Sequence, residues 1–143
     1  MKQFAFPLDR VLDWRRAQVR IEEARLEALR AELRAIDGHQ RDLAAQRAQE
    51  EARLQSAGSA RGGELAALDA FQRHVASEHQ RLNQARKLCD QKIDAQARVV
   101  ILKRRDVKLL EKLKQQRWES WNKDWEREIT QLAEESHLAQ WNR

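Results

Sequence analysis

Tyrosine is absent from this chain of 143 residues, cysteine, proline and methionine occur once each, and there are only four glycines. A compact fold with many tight turns needs more turn-forming residues than that. One cysteine, Cys89, closes no disulfide within the chain, and in a helical stretch it reads as a small apolar filler rather than a reactive thiol. No run of about eighteen apolar residues occurs, so no membrane-spanning helix is expected. The opening MKQFAFPLDR lacks the apolar core of a secretory signal. A cytoplasmic location is the expectation.

Catalytic constellations are missing too. His39, His74, His79 and His137 are scattered over polar helical surface, and no cysteine or carboxylate cluster has metal-ligand spacing. There is no glycine-rich phosphate loop and no nucleophile beside a base. The expectation is a protein that is not an enzyme, with no catalytic, cofactor-binding or metal-binding residues and no cofactor.

What fills the sequence instead is Arg, Glu, Ala, Leu, Gln and Lys, the strong helix formers, with 36% charged and 41% hydrophobic residues. The break in this pattern is SAGSARGG, Ser56 to Gly63, which holds three of the four glycines. It reads as a loop between two helices. Before it a 3-4 grid runs through Leu8, Leu12, Arg15, Val19, Glu22, Leu26, Leu29, Leu33, Ile36, Gln40, Leu43, Arg47, Glu50 and Leu54. Nine of these fourteen are apolar, which marks a coiled-coil seam. The grid passes through Gly38 without a phase shift, so one helix is expected across it.

After the loop, Leu65, Leu68, Val75, Leu82, Cys89, Ile93, Val100, Val107 and Leu110 form a second seam. A turn near residue 60 makes facing residue numbers add to about 120, which sets Ile93 near Leu26, Val100 near Val19 and Leu110 near Leu8, apolar on apolar throughout. The expected fold is all-α, a long antiparallel two-helix coiled coil with a longer second helix, forming a single domain over residues 1–143. Helix one is expected over about 7–56, with Pro7 in its first turn, the loop over about 57–63 and helix two over about 64–138. Helix two then overhangs helix one by roughly 25 residues, or about 37 Å at 1.5 Å per residue.

In that overhang lies RWESWNKDW. Trp118, Trp121, Trp125, Ile129 and Leu132 fall within an arc of about 80° at 100° per residue, one apolar stripe on a helix without a seam partner. Two readings stay open: the N-terminus folds back with Phe4 and Phe6 to cover the stripe or the chain dimerises through it, or the stripe docks a partner protein through its tryptophans. Beside it, residues 98–117 hold eight basic residues (Arg98, Lys103, Arg104, Arg105, Lys108, Lys112, Lys114, Arg117) against Asp106 and Glu111, a net +6 in a chain whose total is +5. Arg10, Arg15, Arg16 and Arg20 of helix one join this girdle, which suits nucleic-acid phosphates or an acidic protein surface.

The opening FAFPLDRVLDWRRAQ, the break near residue 60, and the late LLEKLKQQRWESW followed by EREITQLAEE resemble the FliJ family of flagellar type III export proteins. The resemblance spans nearly the full chain. It implies a two-helix antiparallel coiled coil, similar to the central stalk of rotary ATPases, that inserts into the ring of the export ATPase, promotes its assembly and activity, and contacts the export gate and substrate chaperones. It implies a role in flagellum biogenesis and motility, at the cytoplasmic face of the inner membrane, with membrane association only through partners. For the ATPase hexamer the candidate contacts are Trp118, Trp121, Trp125, Arg104, Arg105, Lys108, Arg15 and Arg16. Family members meet the export gate through an aromatic and an aliphatic residue four apart, early in the second helix, and LDAFQRHVA offers Phe71 and Val75. Phe71 is the only aromatic residue between positions 15 and 117 and is taken to lie off the seam. The alternative is a basic coiled coil that binds nucleic acid or ribosomes; on the family reading no nucleic acid is bound directly.

Overall fold

The computed structural model describes residues 3–58 and 62–142, and among these the regular structure is two helices, α1 over Asp9–Ala57 and α2 over Gly62–Trp141. The all-α expectation with a longer second helix is met: α2 has 80 residues and α1 has 49. α1 begins two residues later than expected because Pro7 and Leu8 form a turn, closed by the Asp9 N–H donating to the Phe6 carbonyl at 3.1 Å. Asp9 then stands in the first helical turn, where the helix dipole favours negative charge.

At its other end α1 stops on Gly58, whose φ of 71° is the left-handed conformation that terminates helices and that glycine adopts without a Cβ penalty. Residues 59–61 of the expected loop lie outside the described residues. Gly62 and Gly63 were expected in the loop but open α2, with Glu64 in its first turn. Gly38 stays inside α1, and a Cβ built on it meets nothing within 4 Å. Gly38→Ala is therefore expected to raise stability by about 1 kcal/mol, the helix-propensity difference between the two residues, read as an upward shift of the denaturant midpoint at unchanged slope.

Two compact units make up the chain, a mid-chain unit of Glu22–Val99 and a terminal unit of Met1–Ile21 with Val100–Arg143. In the mid-chain unit Leu26, Val75, Leu82 and Cys89 are buried, and Leu29, Leu33, Ile36, Leu43 and Ile93 are half-buried. Two helices without a third layer shield only one stripe each, so burial stays partial over most of the seam. Polar contacts across the seam fix the direction: Gln96 Nε2 donates to the Glu22 carbonyl at 3.0 Å, the Cys89 thiol donates to the Leu29 carbonyl at 3.4 Å, Arg86 pairs with Asp37 at 3.0 Å and Gln40 donates to Asn83 at 2.8 Å. Numbers rise along one helix as they fall along the other, and each pair adds to about 120 as expected for antiparallel pairing. Burial pushes the Cys89 thiol above its ordinary range, with Glu32 and Asp90 adding to the effect, so it stays protonated and packs as an apolar group.

The same unit corrects the reading of Phe71 as lying off the seam. Val75 is only 6% exposed. Phe71, one turn earlier on the same helix face, is half-buried and lines a cavity with Leu54 and Leu68. Both residues belong to the seam rather than to an outer face, since a spacing of four repeats one helix side.

In the terminal unit the core is Phe6, Leu12 and Val100, at 5%, 1% and 2% exposure. Val19, Val107 and Leu110 flank it half-buried, while Leu8 at 38% exposure sits at its edge. Asp9 pairs with Lys114 at 2.7 Å, Arg15 with Asp106 at 3.3 Å and Arg16 with Glu111 at 3.1 Å. These pairs repeat the antiparallel register within this unit. The pairing reaches Asp9 and Lys114, and α2 continues alone beyond it apart from what the N-terminal arm covers.

Candidate functional site

The arm before α1 runs back along α2. Phe6 is buried and Phe4 is half-buried, with its ring centroid 6.0 Å from that of Trp121 at a tilt of 51°. Trp121 in turn stacks on Trp125, one turn further on, with centroids 6.1 Å apart and planes 3° from parallel. Of the two readings of the stripe, the fold-back thus accounts for its middle. Trp121 has an intramolecular cover, so the stripe is not bare along its length.

Trp118 keeps 42% of its surface exposed. It lines a surface groove with Phe4, Arg16, Glu111, Lys114 and Gln115, which sets one open indole edge among charged groups of both signs. Past the stack, Ile129 and Leu132 are 47% and 59% exposed.

The basic residues divide into two sets. Register brings Asp106 and Glu111 opposite Arg15 and Arg16, and both guanidiniums pair with these carboxylates, fastening α1 to α2. Arg16 also lies 3.8 Å from Asp13, and the Arg15 guanidinium carbon is 5.1 Å from the centroid of the Trp14 ring. Arg104, Arg105, Lys108 and Lys112 are exposed on α2, where their charge acts on encounter with a partner at a distance.

Exposed apolar side chains that the heptad reading did not single out also belong here. Val11, Trp14, Leu102 and Leu109 are 41%, 54%, 56% and 62% exposed. Their signal was a second leucine pair at a spacing of seven, two residues out of phase with Val100 and Val107.

Chemically this surface presents exposed apolar side chains beside fixed charges of both signs. Among the described residues no group of three or more His, Cys, Asp or Glu side chains is arranged to hold a metal ion, and no helix is long and apolar enough to cross a membrane. Comparison with protein-family models, curated proteins and solved structures finds no match. The surface itself carries the functional argument.

Proposed function

We propose that the chain is a non-enzymatic stalk of the flagellar type III protein export apparatus, which binds and activates the export ATPase ring and links it to the export gate and to substrate chaperones. The observation that carries this reading is the terminal unit, where an exposed Trp118 and the exposed cations Arg104, Arg105 and Lys108 stand beside a paired-helix end. It joins the resemblance of both chain ends to the FliJ family. In this reading the charges speed capture by an acidic ring and the tryptophan anchors the complex. Contacts of unequal strength with the subunit states of the ring couple nucleotide turnover to the stalk, because only differential affinity shifts such an equilibrium. The gate contact, if made near Phe71, uses the half-buried edge of that ring, since Val75 is enclosed.

Capture from a lysate treated with nuclease tests the class of partner. Recovery of an export ATPase supports the stalk, whereas loss of all partners on RNA digestion supports the basic coiled coil that binds nucleic acid or ribosomes. A kinetic measurement tests the surface. Reversal of Arg104, Arg105 and Lys108 to glutamate is expected to slow ATPase association at low salt by tenfold or more, since steering sets on-rates over about 10- to 1000-fold. Helicity is expected to be unchanged. Association that keeps its rate at low salt removes these cations from the docking surface.

A further inference from the structure

The side of α2 that this reading leaves unused lies opposite Trp118. Leu109 precedes Trp118 by nine residues, about half a turn of azimuth at 3.6 residues per turn, and Leu102 shares the face of Leu109 two turns away. Asp106 stands between these two leucines, one turn from each, and its partner Arg15 stands beside Trp14 and one turn from Val11. The Arg15–Asp106 contact at 3.3 Å therefore sets Val11 and Trp14 of α1 on the same side as Leu102 and Leu109 of α2. Four exposed apolar side chains surround one ion pair. Arg105 and Lys112, each three residues after a leucine, border the patch with exposed positive charge.

Further along the same helix is a segment of opposite character. Residues 100–117 hold seven basic and two acidic side chains, a net +5, whereas residues 118–141 hold six acidic and two basic ones, a net −4. That tail carries its own apolar stripe in Trp125, Ile129 and Leu132, bordered by Glu126 and Glu135, and from Ile129 onward each described residue is exposed. An acidic amphipathic helix and a basic-bordered apolar face are complementary in both respects. They cannot meet within one chain, because α2 is unbroken from Gly62 to Trp141 and Leu102 and Leu132 are held about 45 Å apart along its axis at 1.5 Å per residue.

We propose that the face formed by Val11, Trp14, Leu102 and Leu109 binds the acidic tail helix, residues 118–141, of a second copy of this chain. The contact is head-to-tail, since the two surfaces differ, and each pair of chains leaves one face and one tail unused. Association therefore grows with concentration, and it weakens with salt because the bordering charges are exposed. It also places Trp125 against another copy, so that a partner reaching the tryptophan stripe competes with self-association.

Sedimentation of the full chain over a range of concentrations tests this without any ATPase. The expected result is an average mass that climbs above the monomer at low salt and falls back at high salt. Arg105→Glu with Lys112→Glu, and separately Glu126→Lys with Glu135→Lys, are each expected to weaken association tenfold or more at unchanged helicity. The chain carrying all four changes is expected to associate again, because the charges are exchanged rather than removed. A chain that stays monomeric at every concentration overturns the proposal. So does association indifferent to either pair of changes, or a fourfold variant that fails to recover.

Discussion

Leu12→Ala is expected to lower the stability of the terminal unit by about 3 kcal/mol, within the range measured for buried leucine truncations. Leu12 is 1% exposed and, with Phe6 and Val100, makes up the buried apolar side chains of that unit among the described residues. A two-helix layer has no third element to close over the space, which leaves the lost contacts uncompensated. Leu8→Ala, at 38% exposure, is expected to cost under about 1 kcal/mol, as at most surface positions. The measurement can be made locally. All five tryptophans, Trp14, Trp118, Trp121, Trp125 and Trp141, belong to the terminal unit, so their fluorescence follows its unfolding while far-ultraviolet circular dichroism follows both units. Equal losses for Leu12→Ala and Leu8→Ala would remove Leu12 from the core.

Trp118→Ala is expected to weaken ATPase binding by about 2 kcal/mol or more, roughly 30-fold, as at interface hot spots, while stability changes by under about 1 kcal/mol. The separation rests on exposure: Trp118 keeps 42% of its surface open, whereas Trp121 is stacked against Trp125 and touched by Phe4. Each such ring pair is worth about 0.5–1.5 kcal/mol beyond its buried area. Trp121→Ala is therefore expected to cost stability as well as affinity, and of the three tryptophans Trp118 separates anchoring from folding most cleanly. Binding measured beside thermal unfolding decides it. A Trp118→Ala chain that binds the ATPase like the parent sinks the anchoring role.

The seam was legible in the sequence because apolar residues at alternating spacings of three and four leave few other ways to bury a helix. One break near residue 60 was then enough to set the register that Gln96–Glu22 and Arg15–Asp106 display. The state of the charges was less legible. Composition puts Arg15 and Arg16 in the basic girdle, but only register shows that Asp106 and Glu111, about 90 residues away in sequence, stand across from them. Leu102 and Leu109 stayed hidden because a heptad search follows one phase, and theirs points away from Val100 and Val107. Phe71 was misplaced for the converse reason: it shares the phase of Val75 one turn away and packs toward Leu54 and Leu68. The arm was weighed as a cover for the stripe, but only its path shows which indole it meets, since Gln3 to Leu8 carry no helical period.

From Ile129 to Asn142 every residue is exposed, so the backbone hydrogen bonds of α2 there are guarded by the helix alone. Openings of such a segment cost little free energy compared with openings of a packed seam, and amide exchange along α2 is expected to quicken past Trp125. A ligand gripping this stretch must also still its long side chains, at about 0.5–1.5 kcal/mol for each one immobilised. The last turns of the helix thus set a toll of lost motion on any capture, which favours contacts that are released as readily as they form.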